Sequence, residues 1–167
     1  NFNQPIGDWN VSSVTNMSNL LYEAASFNQD IGEWNTSSVV RMGGMFGRAS
    51  SFNQNIGGWD VSSVTNMSYM FASDENHEKF LPRFNQPLNN WNVSSVKSMY
   101  AMFFRAISFN QPLNDWNVSN VTDMESMFQE AMSFNQPLSK WNVSNVTWLH
   151  SMFYDAESFN QPLNKWN

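Results

Sequence analysis

The fold is decided by one stretch, residues 108–132, whose sequence is SFNQPLNDWNVSNVTDMESMFQEAM. The chain carries copies of this stretch along its length, and each copy is marked by a Phe-Asn-Gln triplet. The Phe of one triplet lies 25 residues from the next, except that Phe52 and Phe84 are 32 residues apart. A period of about 20 to 50 residues indicates a solenoid, because one such unit cannot bury its apolar face alone and must stack on a neighbour. The seven units begin at Phe2, Phe27, Phe52, Phe84, Phe109, Phe134 and Phe159.

Apolar residues recur at fixed positions, which we count from the Phe of each unit as position 0. An aliphatic residue stands at +4, Trp at +7, Val at +9 and +12, mostly Met at +15 and an apolar pair at +18 and +19; Thr36, at +9, is the exception. Stacking would align like residues in columns, so we expect the Phe and Trp columns to fill the interior. The alternative for the Trp column is an exposed platform for sugars. Trp148 is out of register and is expected at the surface.

Two stretches of each unit carry a local pattern. Phe109, Gln111 and Leu113 alternate with polar residues, which predicts a short strand and, after stacking, a parallel sheet. Pro112 cannot donate a hydrogen bond to a sheet, so the strand should span only about three residues. The apolar residues of 121–128 are spaced by three, three and one, which predicts one helical or 3₁₀ turn.

The composition limits the classes of partner. The net charge is −6, with only eight Lys and Arg among 167 residues, whereas nucleic acids and anionic membranes are bound by clustered positive charge. Cysteine is absent, so the chain has no disulfide framework. No segment approaches the roughly 20 apolar residues that span a bilayer. We therefore expect no nucleic-acid partner and no direct membrane insertion.

The sequence offers little to a catalytic mechanism. His77 and His150 are the only histidines, and no Ser, His and Asp recur in an arrangement that pairs a nucleophile with its base. The doublet Gly43-Gly44 lacks the Lys-Ser/Thr sequel of a phosphate-binding loop. We expect a protein that is not an enzyme, with no catalytic residues and no cofactor.

Residues 116–128, Trp-Asn-Val-Ser-Asn-Val-Thr-Asp-Met-Glu-Ser-Met-Phe, are followed by Ala131 and then by Ser-Phe-Asn-Gln at 133–136. This pattern resembles the BspA-type surface-protein repeat, a relative of the leucine-rich repeats, and the resemblance covers the whole chain. It implies a right-handed solenoid with a parallel sheet along one face. It also implies a secreted or cell-surface setting, with roles in adhesion or host interaction.

We expect a single solenoid domain over 1–167, a right-handed, leucine-rich-repeat-like coil with short parallel strands on one face and short helical or 3₁₀ turns on the other. It would hold about six and a half 25-residue repeats with a seven-residue insertion within 73–83, and would be an excerpt of a longer array. The expected function is that of a non-enzymatic extracellular or cell-surface module for adhesion, structural extension or fibre and protein-protein assembly. Its partners would be other protein chains, cell-surface glycans and neighbouring repeats of the same polypeptide.

The alternative function is a glycan-binding repeat domain that uses a regular polar face. Ice is the weaker ligand for such a face, because its rows are Asn, Gln and Ser and not Thr. The Asn residues at +1, directly after each Phe, would form one such column. They would be either a buried structural ladder or a wet stripe that recognises a repetitive ligand, so their burial separates the two interpretations.

Asn-X-Ser/Thr sequons occur once or twice in each of the first six units. Each is a possible N-glycosylation site, or a place where Asn, Ser and Thr serve as turn and cap residues. Equivalent sites in adjacent units would lie only about 5 Å apart, which limits their use. The nine sequons begin at Asn10, Asn16, Asn35, Asn66, Asn92, Asn117, Asn120, Asn142 and Asn145.

The insertion is the one charge-dense part of the chain, and we treat it as a possible interaction loop, because insertions in repeat arrays map to loops on one face. Asp74, His77 and Glu78 are candidate metal ligands by residue type, but a solvated bulge is the favoured interpretation because their spacing is a weak metal pattern. The charged residues of the insertion are Asp74, Glu75, His77, Glu78, Lys79 and Arg83.

Overall fold

Equivalent residues of successive units are paired in a computed structural model, which describes residues 2–74 and 80–166. In these two ranges β-pairing consists of isolated parallel bridges at position +14, no α-helix is present, and Phe80 has the 3₁₀ conformation. Because each bridge joins equivalent residues, adjacent units lie one above another in register. The bridges join Asn16 to Arg41, Arg41 to Asn66, Asn66 to Ser98, Ser98 to Asp123, and Asp123 to Trp148.

The stretch from position 0 to +4 is joined to the next unit by side chains and not by a backbone ladder. The backbone N–H of Asn135 donates to Oδ1 of Asn110 at 2.9 Å, and Nε2 of Gln136 donates to the same oxygen at 3.0 Å. The strand that the alternation predicted at Phe109–Leu113 is therefore absent. The parallel bridges lie instead at +14, inside the stretch predicted to be helical.

That second stretch is a series of overlapping β-turns. Alternate N–H groups close turns, as in Gln129 to the Ser126 carbonyl at 3.1 Å, and the N–H groups between them donate to the next unit, as in Phe128 to Met152 at 2.9 Å. The alternation requires positive φ at +17 and +21, which is 54° at both Ser126 and Glu130. The helical or 3₁₀ turn predicted for 121–128 is thus replaced by turns that use half of their N–H groups to bind the neighbouring unit.

Columns of aromatic rings form the centre of the core. Phe109 stacks on Phe84 and on Phe134, each with its ring centroid 6.2 Å away. The Phe residues at +19 form a second column, in which Phe103 and Phe128 are 5.5 Å apart, and the two columns touch where Phe128 meets Phe134 at 4.0 Å. All five rings are at most 2% exposed, so these aromatic residues are core residues as predicted, whereas Phe2 in the first unit is 42% exposed.

The Trp column is buried in the middle of the stack. The indole Nε1 of Trp116 donates to the Leu88 carbonyl of the preceding unit at 2.9 Å, and the same bond recurs from unit to unit. Trp9 in the first unit is 54% exposed and Trp166 is half-buried, whereas Trp148 is 59% exposed, as its register predicted. The interior position is therefore confirmed for the five residues that are 2–4% exposed, which are Trp34, Trp59, Trp91, Trp116 and Trp141.

Thr36 shows how a polar residue is accommodated in an apolar column. It is 1% exposed, and its hydroxyl donates to the backbone carbonyl of Asp60 in the next unit at 2.9 Å. A buried hydroxyl that is hydrogen-bonded avoids most of the free-energy cost of leaving water. The column can therefore contain Thr where the other units have Val.

We propose that the stacked units belong to a solenoid, since contacts between equivalent residues recur at each step. The right-handed, leucine-rich-repeat-like sense of the coil stays a prediction. The single-domain organisation over 1–167 and its origin in a longer array also stay predictions.

Candidate functional site

The Asn column at +1 forms a hydrogen-bonded ladder. At each step Oδ1 of one Asn accepts the backbone N–H of the next Asn at 2.9–3.0 Å and Nε2 of the following Gln at 3.0–3.3 Å. The column is exposed in the first three units and half-buried from Asn85 to Asn135. The predicted ladder is confirmed, but the prediction that it would be buried is wrong, because the small units leave this edge open to water.

Most sequons at position +8 are Asx turns. Oδ1 of Asn117 accepts the backbone N–H of Ser119 at 3.2 Å and its hydroxyl at 2.8 Å. The same pair of bonds occurs at Asn10, Asn35 and Asn92, and Asn142 accepts the backbone N–H. These residues thus have the turn role that was the alternative to glycosylation, and glycan attachment to them stays a prediction.

The other four sequons use their amides within the stack. Nδ2 of Asn120 donates to the Ser94 carbonyl at 2.8 Å, and Nδ2 of Asn145 does the same to Ser119. Asn16 and Asn66 each accept the backbone N–H two residues on, at 3.0 and 2.9 Å. The Nδ2 atom is where a glycan would be attached, so Asn120 and Asn145 would have to give up a bond between units. Glycosylation of these four sites also stays a prediction.

The two ends of the insertion lie in different surroundings. Asp74 pairs with the Arg48 guanidinium through its carboxylate, and its backbone carbonyl accepts a hydrogen bond from Arg105. Arg83 is exposed. Glu75, His77, Glu78 and Lys79 lie outside the described residues, so the interaction loop and the metal hypothesis stay predictions. No cluster of three or more metal-ligating side chains occurs in the ranges 2–74 and 80–166.

Asp74, at position +22 of the third unit, completes a column of alternating charge whose other members lie at position +21. Arg48 pairs with Glu23 of the first unit as well as with Asp74 of the third. Arg105 of the fourth unit binds Glu130 of the fifth, with 3.0 Å between Nε and Oε2. Both Arg side chains are only 12% exposed. Sequence reasoning missed this column, although the register shared by Glu23, Arg48, Arg105 and Glu130 was a usable signal.

The same face of the stack carries a groove of ≈ 960 Å³, which spans the first five units. Its lining comes from positions +16, +17, +20 and +21, which lie on the β-turns, and from Asp74 at +22. Small residues form its lower part in the second and third units: Gly43, Gly44 and Gly47, then Ala72 and Ser73. The other units have larger side chains at many of these positions, so the depression is a local break in the repeat.

Aromatic side chains rise beside these small residues. Tyr22 lies directly over Gly47, where an added Cβ would come within 2.7 Å of its ring, and the Arg48 guanidinium carbon is 5.5 Å from the Tyr22 ring centroid. The rings of Tyr69 and Tyr100 meet edge to face, with centroids 4.9 Å apart. A groove bordered by rings and paired charges is suited to a ligand with both apolar and polar faces.

The Tyr69 hydroxyl is held in its neutral form. Partial burial raises the pKa of Tyr69, and a hydrogen bond with Tyr100 and the charge of Glu125 raise it further. The hydroxyl therefore remains protonated at ordinary pH.

No helix among the described residues has the length and apolar character needed to cross a membrane.

Comparison with known proteins identifies the family of the chain. No curated protein and no solved structure matches the sequence. A family described as "Mycoplasma protein of unknown function, DUF285" matches residues 1–82 and 75–167, which together span the chain. The two matches follow one another along the chain, each over several stacked units, and the chain belongs to the DUF285 family.

Proposed function

We propose that this chain is a non-enzymatic repeat module that acts outside the cell, at a cell surface, where it mediates adhesion or protein-protein assembly. The observation that carries the proposal is the bonding between units: backbone N–H groups at four positions of the turn stretch, +15 to +21, donate to the next unit. A stack joined in this way holds the side chains of one face in fixed columns. Fixed columns suit a binding surface that is extended and stiff.

The extracellular setting rests on two supports. The first is the resemblance of the unit to BspA-type surface repeats, which remains part of the proposal. The second is a surface made soluble by Asn, Gln, Ser and Thr, with only 13% charged residues. DUF285 membership is compatible with a surface-protein repeat and does not specify a ligand.

The polar Asn and Gln face is a poor choice for the binding surface. From Asn3 to Asn135, Oδ1 of each ladder Asn already accepts two hydrogen bonds from the next unit, as at Asn110, so that acceptor is committed to the stack. A ligand that engaged it would have to displace a bond between units. We therefore place the binding surface on the opposite stretch of the unit, where the β-turns form the groove.

Surface exposure and adhesion test the proposal together. An antibody raised against the chain should label intact, unpermeabilised cells of the source organism, and brief protease treatment of those cells should remove the label. Microspheres coated with the chain should adhere to host cells more than microspheres coated with albumin. Labelling that appears only after permeabilisation, or adhesion equal to that of albumin, would contradict the proposal.

A further inference from the structure

We propose that the groove over Gly47 and Ala72 binds a neutral oligosaccharide. This inference rests on the proposed function and names the class of ligand that the module would adhere to. The site is not one of the sequence-predicted sites, since it needs residues from five stacked units to form.

The shape of the groove comes from one column. At position +20 the units carry Tyr22, Gly47, Ala72, Phe104 and Gln129, so two small residues lie between two aromatic ones. Adjacent units are about 5 Å apart, and the Tyr22 ring covers Gly47, so the gap between the rings of Tyr22 and Phe104 is about one unit wide and lies over Ala72. A pyranose ring is of this size, and its C–H face packs against aromatic rings.

The aromatic borders are accessible to a ligand. Tyr22 is 44% exposed and Tyr69 is 43% exposed, while Tyr100 and Phe104 are half-buried. Three of these four rings carry a hydroxyl. Rings with a polar edge can stack on the apolar face of a sugar and bind its hydroxyls at the same time.

The charges of the groove favour a neutral ligand. Arg48, the only cation among the described residues that line the groove, is already paired with two carboxylates, those of Glu23 and Asp74. An anionic ligand would compete with these carboxylates, and a cationic ligand would have to displace Arg48 from them. A neutral sugar carries no charge that competes for Arg48 or for the carboxylates, so it leaves these pairs intact.

One buried hydroxyl at the groove has bonding capacity left. Ser73 lines the groove and is 3% exposed, and its Oγ has no hydrogen-bond partner among the described residues. Buried hydroxyls are normally hydrogen-bonded. The oxygen itself is buried, so a sugar hydroxyl seated over Ala72 would provide the missing partner once the Ser73 side chain changes rotamer and turns its hydroxyl toward the groove.

Calorimetric titration of the purified chain tests the inference. The probes are maltohexaose, cellohexaose, mannohexaose and chitohexaose, with a heparin hexasaccharide as the anionic comparison. At least one neutral probe should bind, and Tyr22→Ala should weaken its binding about tenfold, from loss of one ring contact. Tyr69→Asn, which keeps a residue tolerant of φ 58°, should act in the same direction.

A matched control lies in the same column. Tyr154 occupies +20 of the sixth unit, is 59% exposed and is not part of the groove. Tyr154→Ala and the polar-face variant Gln136→Ala should bind as the wild type does. Absence of binding by every neutral probe, preference for heparin, or equal weakening by Tyr22→Ala and Tyr154→Ala would overturn the inference. If microspheres still adhere to host cells while no saccharide binds, the proposed function stands and the ligand class is wrong.

Discussion

Replacement of Trp116 by Ala probes the buried Trp column most sharply. The side chain is 3% exposed and lies between Trp91 and Trp141, with both ring centroids 6.5 Å away. Its Nε1 donates to the Leu88 carbonyl at 2.9 Å. The substitution would remove a ring from the middle of a column and leave a cavity that two ordered neighbours cannot easily fill.

The expected loss of stability is about 3 to 5 kcal/mol, the usual range for a buried aromatic residue replaced by Ala. Little of this comes from the hydrogen bond, because the Leu88 carbonyl also accepts the backbone N–H of Trp91 at 3.1 Å and so keeps a partner. Most of the cost is lost packing. Trp116→Phe, which retains much of the ring, should therefore cost less than half as much.

Urea unfolding followed by far-ultraviolet circular dichroism measures this loss, since the signal does not depend on the removed fluorophore. Trp148→Ala is the matched control, because Trp148 is 59% exposed and should change stability by no more than about 0.5 kcal/mol. A Trp116→Ala variant as stable as Trp148→Ala would refute the reasoning, and the Trp column would then belong at the surface.

Three further changes test separate parts of the stack. Asn110→Ala removes an acceptor used by the next unit and should lower the free energy of unfolding in urea by about 1 kcal/mol. Asn160 accepts no hydrogen bond from the described residues, so Asn160→Ala should change it very little. Equal losses of stability in the two variants would contradict the ladder. Ser151 is exposed and has a φ of 55°, a conformation that glycine tolerates and a β-branched residue does not. Ser151→Gly should therefore raise the melting temperature, and Ser151→Val should lower it by a larger amount. The reverse order of melting temperatures would contradict the positive φ of this turn. Hydrogen bonds donated by Ser62 lower the pKa of Asp60 from its ordinary value of 3.8. Ionised Asp60 therefore stabilises the fold above pH 3.8, and this stability is lost as the pH falls through the folded-state pKa. The Asp60→Asn variant should lose this part of the pH dependence of stability, and an unchanged pH profile would contradict the argument.

The sequence period alone predicts which residues form columns. Because units of equal length bury equivalent side chains, the positions of Phe109 and Trp116 in the core, and of Trp148 outside it, follow from register. The 32-residue step from Phe52 to Phe84 does not interrupt the Phe column, whose rings are 5.9 Å apart at that point. The regular stack therefore continues across the longer unit.

The local backbone could not be predicted in the same way. The spacing of three in 121–128 is shared by a helical turn and by the overlapping β-turns that form, and only the φ angles separate them. Those angles are positive at residues such as Tyr69, Arg105 and Glu130, which carry no sequence signal for that conformation. Gly44 is the one glycine with positive φ. In the sequence its doublet with Gly43 indicates only an incomplete phosphate-binding motif, so the doublet does not predict the turn.

The groove was also beyond the reach of sequence reasoning. It depends on small residues in two adjacent units, at Gly47 and Ala72, and on larger residues in the units on either side. A repeat analysis seeks what the units share, whereas this site consists of what they do not share. Such a site is found by comparing the residues at each outward-facing position from unit to unit, and not by deriving the consensus sequence of the repeat.

Distances between labelled units test the central claim of stacked, register-matched units most directly. The sequence has no Cys, so pairs of introduced cysteines give unique sites for spin labels. With one label at Asn10, partners at Asn92, Asn117 and Asn142 lie three, four and five units away along one exposed column. Pulsed electron resonance should give distances that rise by about 5 Å from each partner to the next. Distances that do not rise with unit number would contradict the account.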